Sequence, residues 1–188
     1  MGVQGYQYSQ GRSRILSANY GTPLLGAGTA VHAAVTDTGV DQVVTTGLTN
    51  PDVPRNITAT AGGTAADVKA VQVVITGTNT HGDVITETLP AFTVNTTGTV
   101  TGSKAFATVT SVTIPAHDGT GATTAIGTGS KLGLPVKFSR KTFVNLFVAD
   151  AVDTIAASTV SATAVESNTF TTTTALDGSK SVVFDYYK

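Results

Sequence analysis

Hydrophobic positions along the chain recur with a period of two far more than with a period near 3.6. Val71, Val73 and Ile75 alternate with Gln72, Val74 and Thr76, the pattern of a strand with one buried face. Gly77 to Asp83 is rich in turn formers, and Val84 to Leu89 follows it before Pro90, so the stretch reads as a β-hairpin with a longer loop. Phe92–Val100 and Phe106–Ile114 are further strand candidates, separated by Thr101-Gly102-Ser103-Lys104, and Pro115 stops the second because it cannot donate to a ladder. The most glycine-dense stretch, His117 to Gly133, reads as a long loop with one short strand near Ala122–Ile126. Phe143–Val148 is apolar at nearly every position, as a central strand covered on two sides would be. Ala149–Ala157 is open between strand and one short helix. Thr169–Ala175, a turn at Leu176–Ser179 and Ser181–Tyr187 read as a C-terminal hairpin. Short strands and glycine-rich turns at this spacing predict an all-β fold, an antiparallel β-sandwich or barrel-like domain.

Composition sharpens this. The 188-residue chain holds 36 threonines, whose β-branched side chains suit a pleated strand and disfavour a helix. Only 12% of residues are charged, about half the usual share. A Thr/Ser/Gly/Ala surface with so few charges is cheap to desolvate when it meets a neighbour. Between residues 56 and 130 the charged residues are Asp67, Lys69, Asp83, Glu87, Lys104 and Asp118. The net charge of −1 gives no reason to expect nucleic acid or an anionic membrane as a partner. No cysteine is present, so neither disulfides nor thiolate chemistry arise. The first eight residues lack the basic start and apolar run of a secretory signal.

Residues 1–25 differ from the rest. They carry Tyr6, Tyr8 and Tyr20 with Arg12 and Arg14 among Gly, Gln and Ser, without a sustained hydrophobic period. They predict an extended N-terminal arm that docks on a partner, or else a partly disordered terminus, preceding a single β-domain at 26–188. Tyrosine and arginine are the residue types enriched at interface hot spots, so these five are the candidate partner-binding residues.

Candidate chemistry is thin. His32, His81 and His117 are isolated, without a metal ligand at the usual spacing. His117-Asp118 reads as a solvated pair in a polar loop, His81 as part of a turn, and His32 as a structural residue in an Ala/Val run. Gly127-Thr128-Gly129-Ser130-Lys131-Leu132-Gly133 lacks the spacing of a phosphate-binding loop. Asp150 and Asp153 read as a solvated turn. These features predict no catalytic residue, no cofactor and no metal.

Three phrases resemble strand–turn–strand segments of small structural proteins of tailed bacteriophages. They are Val74-Ile75-Thr76-Gly77-Thr78-Asn79 with Gly82-Asp83-Val84-Ile85-Thr86-Glu87-Thr88-Leu89, then Thr99–Phe106 with Val109–Pro115, then Ile126–Pro135. The resemblance covers residues 55–136 and implies a β-domain displayed on a virion, with no catalytic residues to transfer. The expected role is a capsid decoration (cement) protein on the outer face of the head, stabilising the shell. Its expected partners are the major capsid protein and other copies of itself, with a trimer the preferred homo-oligomer. The alternative is a tail or baseplate component, or a fibre-like adhesin.

Overall fold

A computed structural model describes residues 14–187, so Tyr6, Tyr8 and Arg12 lie outside the described residues. Within them the chain forms fourteen strands, numbered β1 to β14 in chain order, and two single 3-10 turns, Ala65–Asp67 and Val165–Ser167. The fold is all-β, and every strand pair is antiparallel.

The strands make three sheets. The first runs β1 (Ile15–Asn19), β14 (Val182–Tyr187), β10 (Phe143–Val148), β11 (Ala151–Asp153). The second runs β12 (Ile155–Thr159), β13 (Thr169–Thr172), β9 (Ala122–Gly133), β4 (Arg55–Gly63), β7 (Gly98–Phe106), with β2 (His32–Thr36) also on β9. The third runs β3 (Gln42–Val44), β8 (Thr108–Ile114), β5 (Val74–Thr78), β6 (Val84–Thr88).

The long central pair β4–β9 explains why the molecule has two cores. β2 lies along the first half of β9 and β13 along its second half. The first half, with Ile57, Ala59, Ala61, Ile126 and Phe106 of β7, packs on the third sheet through Ile75, Val112 and Ile114. The second half, with Leu132, Leu134 just beyond it and Phe170 of β13, packs on the first sheet through Leu146, Val182 and Phe184. Alternating side chains are what let each sheet bury one face and leave the other polar, as in β6, where Ile85 and Glu87 turn inward. Glu87 is buried because its carboxylate accepts from Ser103 N (2.6 Å), Ser103 Oγ (2.8 Å) and Lys104 N (3.2 Å), tying the third sheet to β7.

Several sequence expectations change. Thr101–Lys104 is not a separator but the middle of β7. A Cβ on Gly102 would come 2.7 Å from Glu87 Oε2 and 2.9 Å from the Ile57 carbonyl, so glycine there marks a close approach rather than a turn. His117–Gly133 is not mainly loop, since residues 122–133 form the longest strand in the fold. A Cβ on Gly127 would lie 2.1 Å from the Ala27 carbonyl oxygen, because the segment around Ala27 crosses directly over β9 and accepts from Thr128 N. Where β4 bulges, Asn56 replaces ladder bonds with its side chain, accepting from Lys131 N and donating to Gly102 O.

Ala149–Ala157 contains no helix. Ala149 (φ 52°) and Asp150 (φ 60°) make a two-residue turn between β10 and β11, the positive-φ geometry that matches strand twist. β10 buries only one face, with Asn145 exposed. The expected C-terminal hairpin is also replaced: β13 and β14 belong to different sheets. They face each other instead, Phe170 and Phe184 meeting at 4.6 Å between ring centroids.

Candidate functional site

Part of the predicted arm is built into the domain. Residues 15–19 pair in regular register with β14, Ile15 opposite Tyr187 and Asn19 opposite Val183, so they are an edge strand of the domain. Even-numbered residues of this strand face the core and odd-numbered ones face solvent. Tyr20, a candidate partner anchor, therefore turns inward. Its hydroxyl donates to the Gly133 carbonyl at 2.8 Å, and its ring stands edge-on to Phe170 at 5.4 Å. Burial, and Tyr186 beside it, push the Tyr20 hydroxyl well above the usual phenol range, so it stays neutral. Arg14 stands exposed at the entrance to β1.

A groove of about 460 Å³ opens beside β1. Its walls are Ala18, Tyr20, Tyr186, Pro54, Pro135 and Asp52. Asp52 also bonds Arg55, whose Nη1 donates to Asp52 Oδ1 at 3.0 Å and to the Leu24 carbonyl at 2.9 Å. Arg55 is 1% exposed, and burial pulls its pKa down against the opposing pull of Asp52. A buried guanidinium held by one carboxylate fixes the position of the 52–55 segment and hence of the groove wall. Neither residue was singled out from the sequence, although Asp52 and Arg55 are the only charges between Asp41 and Asp67. Their isolation around Pro54 was the readable signal.

The histidines are structural in their contacts. His81 sits in the β5–β6 turn, where Asn79 Oδ1 accepts from His81 N and Asp83 N, and its Nε2 lies 2.9 Å from the Pro135 carbonyl. His32 Nδ1 lies 2.7 Å from the Ala33 carbonyl. His117 is buried, where a solvated pair with Asp118 was expected. Its Nδ1 accepts from Lys69 N (3.2 Å), leaving Nε2–H to donate to Thr124 Oγ1 (3.0 Å), with Phe92 packed against the ring. Asp118 pairs with Lys69 at the surface instead. Asp153, expected to be solvated, accepts from Thr173 N and Thr174 N and so clips β11 to the chain after β13.

Burial lowers the His117 pKa, against weaker pulls from Asp37 and Asp118. The folded chain thus favours neutral imidazole, while the unfolded chain takes up a proton near the ordinary value of 6.5. The stabilisation is complete above that value and is lost as the pH falls toward the folded pKa. The melting temperature is expected to be a few degrees lower at pH 5.5 than at pH 7.5, each kcal/mol being worth about 2–4 °C at this size. His117→Asn, which keeps an acceptor for Lys69 N, should flatten that slope in a thermal melt series. An unchanged slope would remove His117 as its cause.

Among the described residues no three His, Cys, Asp or Glu side chains gather in a metal-ligating group. No helix among the described residues is long and apolar enough to cross a membrane. The surface offers interaction features instead: Leu25, Val84 and Val152 are each more than 60% exposed, and Ile15, Leu24 and Val94 are at least half exposed. No protein-family model, no curated protein and no solved structure matches the chain.

Proposed function

We propose that this chain is a non-enzymatic structural protein of a tailed-bacteriophage particle, a decoration protein seated on the outer face of the head. The observation that carries the reading is the surface: a rigid β-body that offers apolar side chains and a free strand edge with very few charges. Contacts made by such a surface strand few charges away from water, so burial of Leu24, Leu25, Val84 or Val152 against a neighbour is opposed by little desolvation. Binding that requires the assembled shell stabilises it by mass action, and display in many copies adds avidity. The major capsid protein is the proposed partner. Tyr6, Tyr8 and Arg12 are its proposed contacts, tyrosine bringing a large contact area at low entropy and arginine a bidentate fork for carboxylates.

The test mixes purified protein with undecorated heads and, separately, with isolated tails, and pellets each. Saturable binding to heads is expected. Deleting residues 2–11 removes Tyr6 and Tyr8 but leaves β1 whole, and should cut head occupancy several-fold without changing the melting temperature. Binding to tails alone would move the protein to the other end of the particle.

A further inference from the structure

The first sheet ends in a strand that nothing covers among the described residues. β1 has no charge, no proline, no glycine and no bulge in its pairing, the devices that usually blunt an edge. The other long edges do carry such devices. Lys104 Nζ donates to the Thr86 carbonyl on the open side of β6. β7 holds two glycines, Lys104 and a register shift against β4, and β2 has a register shift against β9. The strand β12 has a register shift between Ile155 and Ala157. β1 alone combines a regular ladder with exposed Ile15 and Leu16 and with a groove directly under its inner face.

We propose that β1 pairs with β1 of a second copy of this chain, antiparallel about a two-fold axis through Ser17. The backbone supports this register. Tyr20 N donates to Val182 O, so even-numbered residues of β1 direct their backbone groups toward β14. Ile15, Ser17 and Asn19 then present theirs to the free edge. With Ser17 opposite Ser17, Ile15 falls opposite Asn19, and every outward N–H and C=O of the strand meets one from the other copy.

The side chains are self-complementary in the same register. Residues opposite each other share a face, so Leu16 of the second copy lies across from Ala18. Ala18 is a small residue in the wall of the groove, which leaves room for that leucine against Tyr20 and Tyr186. Arg14 of the second copy lies across from Tyr20, at the end of the groove where Asp52 stands. The contact thus joins a cation to a carboxylate and an apolar side chain to an apolar wall, twice over by symmetry. This is strand addition, in which main-chain bonds give affinity and pockets for alternate side chains give specificity. A two-fold contact is isologous and closes as a dimer, in place of the trimer expected from the sequence.

The chain has no cysteine, so a single introduced one is a clean reporter. Ser17→Cys should form a disulfide-linked dimer under mild oxidant, because it faces itself across the axis. Asn19→Cys should not, because it faces Ile15. Leu16→Glu sets a carboxylate over the apolar wall near Asp52 and should weaken self-association about tenfold or more in sedimentation equilibrium, a shift of about 1.4 kcal/mol. Leu16 is 36% exposed, so the melting temperature of a dilute sample checks that the fold survives. A Ser17→Cys protein that stays monomeric, equal crosslinking of both cysteine variants, or undiminished association of Leu16→Glu would each overturn the proposal. The pairing does not depend on the particle reading: a dimer that ignores heads keeps this inference and removes that one.

Discussion

Replacing Asn168 by alanine is expected to cost about 3–5 kcal/mol and to lower the melting temperature by about 10 °C or more. Asn168 is fully buried and holds together two stretches of chain outside the sheets, one at Phe138 and one from Ser161 to Val165. Its Oδ1 accepts from Phe138 N (3.2 Å) and Ser161 N (2.7 Å). Its Nδ2 donates to the carbonyls of Ser161 (3.0 Å), Ala164 (2.8 Å) and Val165 (3.3 Å). Alanine leaves the Ser161 N–H and the carbonyls around Ala164 without that amide, while Phe138 N keeps the Ser161 carbonyl at 3.1 Å, and an unmet buried group costs about 1–3 kcal/mol. Aspartate is no rescue, since it keeps the acceptor but loses the donors and buries a charge. The loss should also loosen the groove, because the Asn168 carbonyl accepts from Leu134 N just before Pro135 in its wall. A thermal melt of Asn168→Ala within about 3 °C of the parent would show that water replaces the amide at little cost.

Phe184→Ala is expected to cost about 3–5 kcal/mol, the usual range for deleting a buried ring. Phe184 is fully buried in the centre of β14 and touches three rings: Phe170 at 4.6 Å, Phe143 at 5.0 Å and Tyr186 at 6.5 Å between centroids. It bridges the first and second sheets, so the cavity opens in the middle of one core. The form of the transition is informative as well. β9 runs through both cores, with Ile126 in one and Leu132 in the other, and neither core can lose it and stay folded. Denaturant unfolding followed by fluorescence and by circular dichroism should therefore give one coincident transition at a lower midpoint. Two separated transitions would show that the cores fold as independent units.

How much of this was legible in the sequence depended on whether a signal was local. The β5–β6 hairpin was, because period-2 alternation flanks an Asn/His/Gly turn whose bonds lie within five residues. The all-β class was, because threonine and valine act on every strand alike. Glycine misled twice. Gly102 and Gly127 looked like loop residues, but each lies mid-strand where another chain segment presses on it, and those segments are 15 or more residues away in sequence. Phe170 and Phe184 suggested a hairpin because two strands sat either side of a turn. Their rings meet across a core instead, a pairing that alternation along one strand does not encode. At the groove, Tyr20 read as an anchor for a partner, yet its hydroxyl is taken by Gly133 of its own chain. Arg14 kept its exposure, while Tyr6, Tyr8 and Arg12 fall outside the described residues. Asp52 and Arg55 went unnoticed because a single i,i+3 ion pair is common on protein surfaces, and only the fold makes this one buried.

The central claim, a structural protein on the outer face of a phage head, is tested most directly by reconstructing the particle that carries this chain. Density matching the three-sheet body, repeated at equivalent positions over the head surface and contacting the major capsid protein, is the expected result. Particles with bare heads and this density confined to the tail or baseplate, or particles that lack it altogether, would contradict it.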